Sequence, residues 1–200
     1  MKKLITKTAL VTLCSILLLL SLLYGVFAIF FPKPLANAFW DMGSYHSAVV
    51  FYEKQYNKTQ SLDDLHTLCV KLDAHKDSER VVEYASKFVG HEKFSTTCEG
   101  KDIEGGVSSE DIIEGKFVCA YYLETKDIYT TVERAKSFVK NKYSEYNPFY
   151  MLYTDSKLNL TATQLNEIIK GINSAKASLP SAQKTIAQAD IDAINAMLGN

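Results

Sequence analysis

Two stretches decide the fold: LHTLCVKLDAHKDSERVVEYASKFV at 65–89 and GKFVCAYYLETKDIYTTVERAKSFV at 115–139. Laid over one another at an offset of 50 residues, they share eight of 25 positions: Cys69/Cys119, Lys76/Lys126, Asp77/Asp127, Val82/Val132, Glu83/Glu133, Ala85/Ala135, Phe88/Phe138 and Val89/Val139. Each carries apolar residues at three- and four-residue spacing on both sides of a Lys-Asp pair, which is the pattern of helix, turn, helix. A helical hairpin of this kind cannot bury its apolar face alone, so two similar copies predict a stack.

The flanking sequence reads the same way. Only four prolines occur, at 32, 34, 148 and 180, each near a plausible helix boundary. Ser61-x-x-Asp64, Ser108-x-x-Asp111 and Thr161-x-x-Gln164 each place a hydroxyl three residues before a group that can reach back to it, a helix-start signature. No alternating apolar and polar run bounded by hairpin turns is present. The predicted fold class is all-α.

Between Gly90 and Gly115 lie five of the nine glycines, and seven acids stand against Lys93 and Lys101. That stretch predicts a solvated acidic loop insertion at 91–110 running into the next helix cap, and it lacks the ligand spacing of a calcium loop. The tail, 141–200, is helical but off the repeat pattern. Tyr143, Tyr146, Tyr150 and Tyr153 form one stripe, expected to be core, with Asn147-Pro148 suited to a helix start. Ile186, Ile191, Ile194, Met197 and Leu198 predict a closing helix that caps the stack.

At the other end, ALVTLCSILLLLSLLYGVFAIFF at 9–31 has 23 residues and no charge. As a helix it spans roughly 34 Å, enough for a hydrocarbon core of about 30 Å. It is longer than the roughly 7–15 apolar residues of a cleaved signal. Val26-Phe27-Ala28 and Ala36-Asn37-Ala38 do resemble cleavage patterns, so processing is the alternative to a retained signal-anchor. Lys2, Lys3 and Lys7 precede the span, and a basic flank stays cytoplasmic. The expected organisation is a cytoplasmic tail at 1–8, a transmembrane helix at 9–31, helical repeats at 32–140 and a helical capping region at 141–200. The single-pass protein would sit in the cell membrane with its C-terminal domain outside.

A third, fainter copy lies 33 residues upstream of the first. Its residues L-A-x-x-F-x-x-x-G-x-Y-x-x-A-x-x-x-Y, at 35–52, resemble the tetratricopeptide repeat. Small Ala36 and Ala48 let two helices approach, while Phe39, Tyr45 and Tyr52 fill the groove between hairpins. The resemblance covers degenerate units at about 33–58, 62–90 and 112–140, with Lys76 and Lys126 standing where the family has glycine. It implies a stack of hairpins whose concave groove holds a protein or peptide partner. The family's groove positions fall on Asn37, Trp40 and Asp41, then Asp63, His66 and Asp73, then Lys116, Leu123 and Glu124.

Charge and motifs narrow the function. The whole chain carries net charge −1, and with three lysines and no acid in residues 1–31 the rest is at −4, with a pI of 6.4. No basic nucleic-acid surface is expected. Hydrolase elbow, zinc-protease, phosphate-loop and dinucleotide motifs are absent, so no enzyme and no cofactor is predicted. His66 and Cys69 stand one helical turn apart, but a metal needs a third ligand, and none is evident. Three cysteines lie outside the span, which permits at most one disulfide. Cys69 and Cys119 read as small core residues, and Cys98, in the loop, is the one expected to show redox behaviour. The function expected is that of a membrane-tethered adaptor or assembly factor. A structural spacer or a released helical domain is the alternative, and an enzyme without a recognisable motif comes after it.

Overall fold

A computed structural model of the chain describes residues 2–72, 78–103, 105–140 and 142–199, with side chains described from Leu10 onward. The described residues form helices joined by turns and loops, without a strand; one isolated antiparallel bridge joins Ile103 and Val107. Residues 1–64 and 65–200 form two compact units.

The first unit holds α1 (Lys2–Phe30), α2 (Pro32–Asp41), α3 (Tyr45–Thr59) and the first turn of α4 (Leu62–Lys71). Within α1, Leu10–Phe30 has a mean hydropathy of 2.6 and none of it is buried. It is long and apolar enough to cross a membrane. Pro32, without an amide to donate, opens α2 immediately after. Lys58 Nζ donates to the Phe30 carbonyl at 3.0 Å, satisfying one of the acceptors left at the end of α1. Helices α2 and α3 form a hairpin around fully buried Ala36 and Ala48, and Phe39 stacks on Phe51 at 5.5 Å. The turn between them needs Gly43, at φ +75°. Asp64 ties the unit together, accepting from Lys33 Nζ, Gln55 Nε2 and Thr59 Oγ1 at 2.7–3.0 Å.

The second unit continues through α5 (Ser78–Val89), α6 (Phe94–Cys98), α7 (Ser109–Thr125), α8 (Ile128–Phe138), α9 (Pro148–Thr154), a 3₁₀ turn (Ser156–Leu158), α10 (Ala162–Lys176) and α11 (Ser181–Leu198). Helix α7 is the hub, packed against α5, α6, α8 and α9, while α10 joins α8 to α11. One continuous core runs from Val118 and Val132 through Phe149, Leu152, Ile168 and Ile172 to Ile191 and Ile194. Two glycines let helices meet closely. A Cβ on Gly115 would lie 2.0 Å from Met151 Sδ, and one on Gly171 would lie 2.5 Å from Val132 Cγ1.

The acidic insertion differs from the solvated loop expected. It contains α6, whose Phe94 and Cys98 are buried four residues apart, on one helical face, and Phe94 meets Phe88 edge-on at 4.9 Å. Glu92, Glu99 and Asp102 are exposed, as are Gly100, Gly105 and Gly106, the last two turning the chain at φ +93° and +76°. Glu104 lies outside the described residues.

Candidate functional site

About three turns of α7 present Ile112, Lys116, Cys119, Ala120 and Leu123 on one face, as spacings of three and four dictate. Opposite them stand Tyr146, Tyr150 and Met151, and the 3₁₀ turn adds Asp155 and Lys157. Ser78 and Val81 of α5 close one side. The result is a groove of about 610 Å³ within the second unit, mainly apolar in its lining, with two lysines against one aspartate. That volume and composition are those of a binding cleft.

The local sequence builds its far wall. Asn147 caps α9 by accepting from the amides of Phe149 and Tyr150 at 2.9 and 3.1 Å, and Pro148 takes the first helical position. Tyr146 and Tyr150 meet edge-on at 5.7 Å. The wall is held from behind by a buried polar network. Asp190 of α11 accepts from Tyr143 Oη and Tyr153 Oη at 2.8 Å each and from Asn147 Nδ2 at 2.9 Å. Burial and the adjacent Asp190 charge raise both tyrosines above their usual range. The tyrosine stripe therefore divides: Tyr143 and Tyr153 are core as expected, whereas Tyr146 is exposed and Tyr150 half-buried, both facing the groove.

The groove residues implied by the repeat resemblance fall in several places. Lys116 and Leu123 line the groove, and Glu124 sits at its edge, accepting from Ser78 Oγ. His66 is buried, its Nε2 3.0 Å from Ser109 Oγ and its ring 6.0 Å from Phe88, so it presents nothing to a partner. In the first unit, Asn37 and Trp40 gather around Tyr52: Asn37 accepts from Tyr52 Oη at 2.7 Å, and the half-buried Trp40 packs on Tyr45 at 4.8 Å and on Tyr52 at 6.5 Å. Burial, with the exposed Asp41 charge nearby, raises the Tyr52 phenol. Asp63 is exposed in the first turn of α4. Asp73 lies outside the described residues. Tyr146, Tyr150, Met151, Asp155 and Lys157 were not marked by sequence; the tyrosine spacing was their one signal.

The opposite face of α7 carries Glu110, Asp111 and Glu114. Lys142 Nζ reaches Asp111 at 3.1 Å and Glu110 at 3.9 Å. Burial and the charges of Glu110 and Asp111 push Glu114 up to about 8, with Lys142 offsetting part of the rise. Among the described residues no group of three His, Cys, Asp or Glu side chains is arranged to hold a metal. Cys98, expected in a loop as the cysteine with redox behaviour, is instead buried at the end of α6, and burial pushes it up to about 11 despite the hydrogen bond from Ser109. A protonated, enclosed thiol is a poor nucleophile.

These features define a class: an all-helical stack of packed hairpins behind one membrane-length apolar helix, with a cleft between helices. No protein-family model, no curated protein and no solved structure matches the chain.

Proposed function

We propose that the protein is a membrane-tethered interaction module whose helical stack is of tetratricopeptide type. It holds an apolar segment of a partner protein in the groove between α5, α7 and α9. The observation that carries this reading is that groove: Leu123, Met151 and Val81 offer apolar seats, Tyr146 and Tyr150 offer rigid amphipathic contact surface, and Lys116 and Lys157 favour an acidic flank on the partner. Supporting the repeat type, Gly43 and Lys126 occupy the same repeat position and both turn left-handed, at φ +75° and +55°. Lys2, Lys3 and Lys7, ahead of the apolar span Leu10–Phe30, favour an outward-facing stack.

The test uses the full chain in its native membrane. A photo-crosslinking residue at Tyr150 should capture one dominant partner, and Leu123→Asp should lower that capture at least tenfold. Lys116→Glu should weaken it by roughly tenfold, the worth of one charged contact. Circular dichroism and Tm report that each variant is folded. A folded Leu123→Asp protein that captures the same partner to the same extent refutes the groove. Protease added to intact cells should remove the stack; full protection refutes the outward orientation.

A further inference from the structure

Away from the groove, the first unit turns an aromatic hairpin back toward its own apolar helix. Tyr24 of α1 meets Phe51 of α3 edge-on, with ring centroids 6.4 Å apart, and Phe51 stacks in turn on Phe39 of α2. At the other end of α3, Lys58 Nζ donates to the Phe30 carbonyl at 3.0 Å. The start of α3 is therefore on the Tyr24 side of α1 and its end on the Phe30 side. Among residues 10–30, Gly25 and Ala28 are half-buried and the others exposed, which marks the face that the hairpin covers. A hydrocarbon core of about 30 Å takes about 20 helical residues, and counted from Leu10 these end at Ile29. Tyr24 then lies about 8 Å inside the boundary, so Phe51 and the hairpin around it reach below the headgroups. The turn that leads into α3 is apolar at its surface: Met42 is 69 % exposed and Tyr45 44 %, with half-buried Trp40 packed on Tyr45 at 4.8 Å. Amphipathic aromatics collect where acyl chains meet headgroups. The exposed charges of Asp41 and Lys54 suit the headgroup layer and keep the hairpin shallow.

We propose that the α2–α3 hairpin is docked on the lipid surface beside α1, with Trp40, Met42 and Tyr45 at the boundary of headgroups and acyl chains. Its partner is the bilayer that α1 crosses, and the two contacts together make a two-part anchor, one helix through the membrane and one hairpin on it. The proposal rests on Leu10–Phe30 crossing a bilayer, which is the tether of the function proposed above. It is indifferent to the direction of crossing, because the hairpin follows the end of the span on whichever side that end emerges.

Trp40 is the one tryptophan of the chain, so its fluorescence reports the hairpin alone. The full-length protein is reconstituted into phosphatidylcholine vesicles whose lipids are brominated either near the headgroup or near the chain terminus, and flotation after a carbonate wash scores its insertion. Bromines near the headgroup should remove roughly half of the Trp40 emission, more than bromines at the chain terminus, while aqueous iodide should remove little. Met42→Asp should cut the bromine quenching by about half and Met42→Leu should preserve it, with circular dichroism reporting both variants as folded. Strong iodide quenching of a floating protein, without response to brominated lipid, overturns the docking and leaves the span standing. Unchanged bromine quenching in folded Met42→Asp overturns it too. Emission shielded from both quenchers, together with a crosslinked dimer, puts a second copy on the patch and overturns the lipid as its partner. A protein that does not float faults the span itself, and the proposal falls with it.

Discussion

The hairpin of α4 and α5 and the hairpin of α7 and α8 share residues in register, yet each makes different use of them. Cys69 is a buried core residue, whereas Cys119, at the same repeat position, forms part of a groove wall. Leu65 is a buried core residue, while its counterpart is Gly115, because α9 comes so close to α7 that no side chain fits. One residue upstream of the aligned segments, Asp64 and Glu114 also correspond. Burial acts to raise Asp64, but donors on Thr59, Gln55 and Lys33 outweigh it and hold the carboxyl below its usual range. Glu114, raised by burial and then by two acids for neighbours, moves the other way. A repeat position sets which face of a helix a residue occupies. What packs over that face sets its chemistry.

Four perturbations test how far this goes, taken from the largest effect down. Asp190→Ala should cost about 3–5 kcal/mol, because it leaves three buried donors without their acceptor. If the cover over the second hairpin is what distinguishes it, hydrogen exchange should speed up in α7–α11 before α5. Uniform acceleration would erase the distinction. Gly171→Ala strikes the contact of α10 with α8, where Val132 is too stiff to yield. Overpacking should outweigh about 1 kcal/mol of helix propensity and leave a net loss of about 1–2 kcal/mol in urea unfolding. Unchanged stability would mean that the helices part without cost.

The third perturbation sets the two carboxyls against each other. Glu114 is raised when folded, so its contribution is present below pH 4.5 and lost as pH climbs through about 8. Glu114→Gln should therefore melt a few degrees above the unmodified protein beyond pH 8, the gain shrinking as pH falls toward 4.5. Asp64 is lowered when folded, so its contribution is present above pH 3.8 and lost as pH falls. Asp64→Asn should accordingly lower Tm at neutral pH, by an amount that fades in acid. Parallel pH profiles for the two variants would contradict the opposed environments. The smallest effect is Lys126→Gly. Relief of a left-handed non-glycine residue, about 1 kcal/mol, should exceed the cation–π attraction between Lys126 and Tyr122, about 0.5 kcal/mol, which the glycine cannot make. A small rise in Tm is expected, and a fall would mean that Lys126 is not strained.

Much of the fold was legible because it rests on local chemistry. Thr161 and Gln164 form a complete capping box, Ser61 Oγ accepts from the Asp64 amide, and Asn147-Pro148 opens α9. Ser108 precedes α7 as the motif requires, but its side chain makes no cap bond, and Asp111, expected to reach back, is engaged by Lys142. The insertion was misjudged because its glycines and acids outnumber the two apolar residues that anchor it. The groove was half legible. Lys116 and Leu123 followed from repeat position, but its tyrosine wall did not: the chain enters α9 at Asn147, so the stripe does not lie on one helix.

By itself, the sequence determined the helical class, the apolar segment of membrane-spanning length and the repeated hairpins, because hydrophobic period, capping and backbone donors act over a few residues. Only the tertiary structure decided which tyrosines became core and which became a wall. It also decided that two corresponding carboxyls are shifted in opposite directions. Those outcomes depend on neighbours brought in from distant segments, and no local pattern encodes them.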